Sequence, residues 1–418
     1  MERINALRSL IPSQDLTFLA GVPYVYHCHH YNLFHDQTID DALGEELGTK
    51  VRTIAARNAF RELIAALSTE LRADTPVERL QLATDLFSWM GHGTLKLSVD
   101  ETGGRADGAF LHYGYSWREK YGAKVKRSHP ADAVAAGFAA AATEVAFSLP
   151  SGSIEATEEH CIALRDAACR FALRRVNPTP APREVNRSVV EPLLGPVFGG
   201  MEEEKITAIA DGLRGFLRGV AGDERGLVQA FGVFVSMHLS NYYNETVFEV
   251  IHHIEREQPR SADVAEALFR EAGQVCVFHT FGNILLSPEW EGMVGSPSGS
   301  PAEILVNSCA IARGLGFGHW TIHEYAPERQ FVLRTPSNYE APFYLRRYGR
   351  SDKARCCFLQ GSALAMMVLA HRVKWAEKPR LTQDFYISLF RGRIPWRVRQ
   401  PLCPTRGDSM TEIVVSPV

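Results

Sequence analysis

The sequence predicts an α+β protein built from two similar halves, each with an antiparallel sheet, helices and a terminal hairpin. Helical and strand-like segments do not alternate regularly, which argues against a doubly wound sheet. Each half ends in a pair of short strand-like segments, and short motifs recur in the same order in both halves. With 418 residues, of which 45% are hydrophobic and 22% charged, the chain is long enough for two or three domains or one duplicated unit.

Composition and periodicity divide the chain into four segments. The first domain, 1–176, ends before a linker at 177–186, whose three prolines favour an extended backbone. Apolar residues then recur at helical spacing, which predicts a helical bridging segment over 187–270. Residues 271–418 form the second domain. In each half we expect helices, then strands, then a small-residue helix, and finally the strand pair.

Four motifs support the repeat. They are, first half before second, Val25-Tyr26-His27 and Val277-Phe278-His279, Gly91-His92-Gly93 and Gly316-Phe317-Gly318, Tyr115–Gly122 and Phe343–Gly349, and the helices around Gly137 and Gly361. Chance rarely produces four matches in one order, so they indicate tandem copies that pack as a pseudo-dimer.

The overall composition excludes several function classes. Lys and Arg total 45 against 48 Asp and Glu, which lacks the basic surplus of a nucleic-acid-binding protein. The longest apolar run, 133–149, is interrupted by Thr143 and Glu144 and is shorter than the ~20 residues of a bilayer span, so it predicts a buried helix and no membrane association. Eight cysteines are too few for a disulfide scaffold and the N-terminus has no secretion signal, so we expect a cytoplasmic protein.

Glu158, Cys161 and Cys169 have a spacing that suits metal ligands. They form E-x2-C-x7-C across a predicted hairpin, whose turn brings the two thiols onto neighbouring strands. Thiolates and carboxylates both bind zinc, and a structural zinc site has four ligands. The nearest candidates in sequence for the fourth ligand are Asp132 and His129.

This pattern resembles the 4-vinyl-reductase-type domain, also called the hydrocarbon-binding domain. The resemblance rests on the Tyr-Gly pair at 121–122, the small-residue helix around Gly137 and the Glu-x2-Cys-x7-Cys hairpin. It covers 90–176 strongly and 316–418 more weakly. Domains of that family are ligand-sensing modules of bacterial activators that respond to phenols and other aromatics. The resemblance therefore implies an enclosed pocket for a small aromatic or apolar molecule.

The resemblance also implies one zinc ion (Zn2+) per chain. In the family, a cysteine shortly before the small-residue helix joins the Glu, Cys and Cys of the hairpin. Asp132 stands at that position here, so the expected metal ligands are Asp132, Glu158, Cys161 and Cys169. A carboxylate in place of a thiolate can still bind zinc.

The second half keeps fewer of these ligands. The equivalent positions hold Cys356, Gln400, Cys403 and Thr411, of which only the two cysteines are good zinc ligands. We therefore expect the second copy to be degenerate and free of metal.

The segment from Tyr26 to Asn32 carries the densest set of reactive side chains. If it is extended, His27 and His29 share one face and Cys28 and His30 the other. One hypothesis is a nucleophilic Cys28 with one of the three histidines as general base, because a nearby imidazole activates a thiol. The alternatives are a second metal site and a polar strand with a buried cysteine. The second half lacks the Cys-His pair, which favours a functional role in the first.

Aromatic residues near the expected pocket complete the site. The predicted ligand-binding residues are Tyr26, Asn32, Tyr115, Trp117 and Trp320. Two function hypotheses result. In the first, the Cys/His centre acts on a small aromatic or apolar metabolite as a hydrolase, lyase or transferase in a biosynthetic or degradative pathway. In the second, the protein is a non-catalytic sensor or binding module with structural zinc. A homodimer is left open, and no nucleic-acid partner is expected.

Overall fold

A computed structural model describes residues 2–122, 124–125, 127–178, 199–336 and 338–418. The first half contains α1 (Glu2–Asn5), β1 (Arg8–Ile11), β2 (Leu16–Leu19), β3 (Val22–Cys28), α2 (His29–Leu43), α3 (Glu45–Leu71), α4 (Pro76–Trp89), β4 (Lys96–Asp100), β5 (Gly103–Gly108), α5 (His112–Tyr121), α6 (Ala133–Ala146), β6 (Ile154–His160) and β7 (Cys169–Arg175).

The second half has a similar but not identical order of elements. It contains α7 (Glu203–Arg218), β8 (Val228–Ala230), β9 (Val233–Leu239), α8 (Ser240–Glu257), α9 (Ala262–Cys276), a π-helical turn (Val277–Phe281), α10 (Gly282–Leu286), α11 (Pro288–Met293), α12 (Pro301–Gly314), β10 (Thr321–Ala326), β11 (Gln330–Thr335), α13 (Glu340–Tyr348), α14 (Cys357–Arg372), α15 (Gln383–Phe390), β12 (Trp396–Leu402) and β13 (Thr411–Pro417).

The predicted α+β class is confirmed. Within the described residues there are three antiparallel sheets, with strand orders β1-β2-β3-β9-β8, β4-β5-β7-β6 and β10-β11-β13-β12. The last two sheets have the same connectivity, and the first is shared between the two halves. No helix in the described part of the chain is both long and apolar enough to cross a lipid bilayer.

The shared sheet joins the halves through β3 and β9. Tyr26 lies opposite Met237 in the antiparallel ladder, and each lies five residues after the glycine of its own hairpin turn, Gly21 or Gly232. Both glycines have positive φ, 80° and 71°, as tight two-residue hairpin loops require. Because equivalent residues face each other, the joint has local two-fold symmetry.

Two sequence predictions are wrong at this joint. Val277-Phe278-His279 lies in the π-helical turn, whereas Val25-Tyr26-His27 lies in β3, so these segments are not equivalent. The hairpin position of His27 is instead matched by His238 in β9. The prediction of a purely helical segment over 187–270 is also wrong, because its described part contains the strands β8 and β9. The elements of the second half therefore begin before residue 271, where the second domain was predicted to start. Most of the predicted linker lies outside the described residues.

Two glycine loops, Gly91–Gly93 and Gly316–Gly318, lie next to backbone hydrogen bonds that connect the two halves in both directions. Just before the first loop, the carbonyl of Met90 accepts the N–H of Met237 at 2.8 Å. Just before the second, the carbonyl of Leu315 accepts the N–H of Tyr26 at 3.1 Å. All four flanking glycines have positive φ, between 85° and 122°. Each half thus completes the backbone hydrogen bonding of the other half's central strand.

Each small-residue helix packs against a long helix of its own half. α6 contacts α3, and α14 contacts α9. A Cβ added to Gly137 would collide with the carbonyl oxygen of Thr53, and one added to Gly361 would collide with that of Arg270. The glycines therefore set the distance between the paired helices.

We expect Gly361→Ala to lower the free energy of unfolding by about 1–3 kcal/mol, because the methyl group must displace a helix backbone. The matched control is Gly212→Ala in α7, where no atom lies within 4 Å of the added Cβ. That change should stabilise the protein by about 0.5–1 kcal/mol, since alanine favours a helix interior. Urea denaturation measures both. Equal midpoints for the two variants would contradict the close packing.

A charge network also links the halves. Asp15 of the first half contacts Arg214 at 2.9 Å and the Nδ1 of His319 at 2.6 Å. Glu203 contacts Arg313 at 2.6 Å and the Nε2 of His319 at 3.2 Å. Burial alone would raise the pKa of Glu203, but hydrogen bonds from His319 and Arg313 outweigh it and lower the pKa to about 2.

The lowered pKa gives Glu203 a pH-dependent stabilising effect. A carboxylate with a folded pKa of about 2 and an ordinary value of 4.5 stabilises fully above pH 4.5, and the effect is lost as the pH falls toward 2. We expect the difference in unfolding free energy between wild type and Glu203→Gln to be full at pH 5–6 and to shrink toward pH 3. The exposed neighbour, Glu204→Gln, is the control. A difference independent of pH would contradict the assignment.

Candidate functional site

A cluster of four metal-ligand side chains forms where α6 begins beside the β6–β7 hairpin. One ligand atom from each of Asp132, Glu158, Cys161 and Cys169 lies within 4.8 Å of the others. Asp132 precedes the first residue of α6, and the other three lie at the facing ends of the two strands. His129, the other candidate from the sequence, lies outside this group.

The two carboxyl groups are held in place by backbone N–H groups. Asp132 Oδ2 accepts the N–H of Gly114 at 2.9 Å and the thiol of Cys169 at 3.3 Å, and Glu158 Oε2 accepts the N–H of Asp132 at 2.8 Å. Asp132 Oδ1 and Glu158 Oε1 are buried and have no hydrogen-bond partner among the described residues. Burial raises the pKa of both carboxyl groups. A cation between them would remove this electrostatic cost.

The two thiols are oriented in the same way. Cys161 Sγ accepts the N–H of Ala131, and Cys169 Sγ accepts the N–H of Ile162, both at 3.3 Å. Such bonds stabilise thiolates and leave sulfur lone pairs free for a metal. Two thiolates and two carboxylates suit zinc chemically.

The side chains at the corresponding positions of the second half contact one another or other protein groups. Cys356 and Cys403 place their sulfurs 3.7 Å apart, and Thr411 lies 4.0 Å from Cys356. The amide oxygen of Gln400 accepts a hydrogen bond from Gln360 at 2.9 Å. Among the described residues, only the Asp132 cluster combines three or more potential ligands from His, Cys, Asp and Glu.

Cys28 does not have the surroundings expected of a catalytic thiol. It is fully buried at the end of β3, and its sulfur accepts a hydrogen bond from the Thr280 hydroxyl at 3.1 Å. Burial raises the pKa of the Cys28 thiol. The thiol that contacts an imidazole is Cys276, 3.4 Å from His27 Nδ1. No hydrogen bond between Cys28 and a histidine ring is present among the described residues, so the pairing of Cys28 with a histidine base stays a prediction without a supporting contact.

His27 belongs to the core. Its ring stacks on Tyr31 and Phe317, with centroids 4.0 and 4.9 Å away. The segment 26–32 is also not extended throughout, because β3 ends at Cys28 and α2 begins at His29. The first turn of α2 therefore carries His29 and His30 away from His27, and the predicted alternation of faces fails.

His29 and His30 instead meet His279 from the π-helical turn. The ring centroids of His29 and His30 are 4.0 Å apart, and those of His30 and His279 are 4.3 Å apart. His29 also contacts Phe234 of β9 at 5.6 Å, and Phe234 contacts Tyr115 of α5 at 5.8 Å. His29, His30, Tyr115 and Phe234 are partly exposed. We call the group formed by His29, His30, Tyr115, Phe234 and His279, together with Lys120 at the end of α5, the imidazole face.

Burial lowers the pKa of every imidazole in this face. The pKa falls to about 3 for His29 and His279, and falls well below its ordinary value for His30. The ammonium group of Lys120 is a further cause at each histidine. These rings are therefore neutral at physiological pH and can each donate one N–H.

Of the predicted ligand-binding residues, only Tyr115 belongs to the imidazole face. Asn32 is buried in the core, where it bonds to His112, Ser236 and Tyr243. The other three are also buried elsewhere, namely Tyr26, Trp117 and Trp320. Their side chains pack in the core, and Tyr26 also borders a small cavity.

The sequence alone did not indicate Lys120 or Phe234 as site residues, and it matched His279 with His27 rather than with the imidazole face. They come from three distant segments, and only the fold brings them together. Cavities of about 410 and 20 Å³ in the described part of the chain lie away from the imidazole face. The larger one lies beside α4 and the β4–β5 strands, and the smaller one is lined in part by Tyr24 and Tyr26.

Comparisons with known proteins give little further guidance. Neither a protein-family model nor a curated protein sequence matches this chain. A solved structure, the phenol-responsive sensory domain of the transcription activator PoxR with phenol, aligns with a TM-score of 0.33 and 13% sequence identity. The alignment covers 42% of this chain and 87% of that domain. At this distance it assigns neither ligand nor activity.

We expect Cys28 in the native protein to react with iodoacetamide at least about tenfold more slowly than in the urea-unfolded protein, because a buried thiol with a raised pKa is a poor nucleophile. Mass spectrometry of the labelled peptides gives the rate at each cysteine. Fast labelling confined to Cys28 in the folded protein would restore the catalytic-thiol hypothesis.

Proposed function

We propose that this chain is a cytoplasmic protein of the hydrocarbon-binding type that holds one structural zinc ion and binds a small aromatic or apolar molecule. The observation that carries the proposal is the convergence of Asp132, Glu158, Cys161 and Cys169 within 4.8 Å. Eight unpaired cysteines fit a reducing compartment. The tandem relation of the halves, with a degenerate second copy, is part of the proposal and is supported by the recurring order of elements. A homodimer stays a prediction.

Zinc in this cluster would act as a structural link. The four side chains come from the start of α6 and from both strands of the β6–β7 hairpin, so one ion would fix the hairpin against the helix. Zinc bound by four protein ligands has no open position for substrate and contributes folding free energy. The two unpartnered carboxyl oxygens support a bound cation at this point.

The imidazole face is the better candidate for ligand binding. It is partly exposed, it lies between the halves, and it combines flat rings with nitrogen atoms that lack a partner among the described residues. Flat rings with a few polar groups are typical of small-molecule sites. Because Cys28 is buried and has no imidazole hydrogen-bond partner among the described residues, these contacts favour binding without covalent catalysis.

We expect about one zinc ion per purified chain by inductively coupled plasma mass spectrometry. Cys169→Ser should lose most of it and should unfold at a lower temperature, because the metal contributes to folding. Cys403→Ser, the equivalent of a ligand change in the second half, is the matched control and should keep its zinc.

Two outcomes would contradict this assignment. The first is two zinc ions or none in the wild-type protein purified without chelator. The second is loss of zinc from Cys403→Ser but not from Cys169→Ser.

A further inference from the structure

The imidazole face carries one positive charge that the described residues do not neutralise. Lys120 is half-buried, and its Nζ lies 4.8 Å from the centroid of the Tyr121 ring. No carboxylate in the described part of the chain forms an ion pair with it. Burial lowers the pKa of Lys120 to about 8, and the nearby Cys28 thiol opposes that shift by raising the pKa. At neutral pH the amine still carries its proton for most of the time.

Two imidazole nitrogens next to this charge also lack a partner. Nδ1 of His30 and Nδ1 of His279 are buried and form no hydrogen bond within the described structure. Such atoms are costly to leave unpaired in a folded protein. His279 lies in the π-helical turn, a distortion that often marks functional positions in helices.

Flat aromatic rings also belong to the imidazole face. Tyr115 and Phe234 contact each other edge to face, and His29 contacts Phe234 in the same way. The face therefore offers ring surfaces beside one ammonium group and two N–H donors.

We propose that the imidazole face binds the carboxylate of a small aromatic acid. The carboxylate pairs with the Lys120 ammonium and accepts N–H bonds from His30 and His279, and the ring lies against Tyr115 and Phe234. The inference rests on the proposed small-molecule function and specifies its ligand class. A monoanion matches the single positive charge, whereas a dianionic phosphate would bring a second, uncompensated charge into a half-buried site.

Benzoate and its neutral counterpart benzamide test the charge requirement. By isothermal titration calorimetry, wild type should bind benzoate at least about tenfold more tightly than benzamide, because a charge-assisted bond is lost in the amide. Lys120→Met should weaken benzoate about tenfold and leave benzamide within twofold, while Lys120→Arg should retain benzoate. The matched control is Lys124→Met at an exposed position nearby, which should leave both affinities unchanged.

Tyr115→Ala should weaken both probes, since it removes the wall that they share. Benzamide binding as tightly as benzoate, or unchanged benzoate affinity in Lys120→Met, would overturn the inference and leave the proposed small-molecule function standing. A wild-type protein that binds neither probe would overturn the inference and count against the ligand-binding function as well. The zinc measurement is independent of all these outcomes.

Discussion

The pairing of β3 with β9 is the constraint on which the rest of the structure depends. With Tyr26 opposite Met237, the two halves share one sheet, and the carbonyl just before each half's glycine loop accepts a backbone N–H from the other half's strand. Separating the halves would break these hydrogen bonds and leave β3 and β9 as exposed strand edges. We therefore expect the halves to unfold as one cooperative unit rather than as separable domains.

The same joint determines where the imidazole face forms. It places His29 and His30, which follow β3, beside Phe234 in β9 and His279 in the π-helical turn, so the imidazole face exists only when both halves are folded together. The cluster of Asp132, Glu158, Cys161 and Cys169 depends on local structure alone, because these side chains lie at the start of α6 and on a single hairpin. The proposed metal site is thus built from local structure, whereas the proposed ligand site is built across the joint.

The sequence predicted the local features well and the long-range ones poorly. The Glu-x2-Cys-x7-Cys spacing indicated the three hairpin members of the cluster because an antiparallel hairpin fixes which residues face each other, whereas Asp132 was expected from the family resemblance. The paired glycines were recognisable because positive φ and close approach both select glycine. β9 was missed because this strand, Val233–Leu239, is short and is flanked by segments with helical periodicity. Lys120 and His279 join the face through tertiary packing, which leaves no trace in sequence spacing.

Hydrogen exchange of two backbone amides tests the central joint most directly. The amides of Tyr26 and Met237 donate to Leu315 and Met90, each across the boundary between the halves. If the halves form one cooperative unit, both amides should exchange only through global unfolding, with the same free energy that denaturant unfolding gives. Exchange of either amide at a much lower free energy would mean that the halves separate on their own, and would contradict the account.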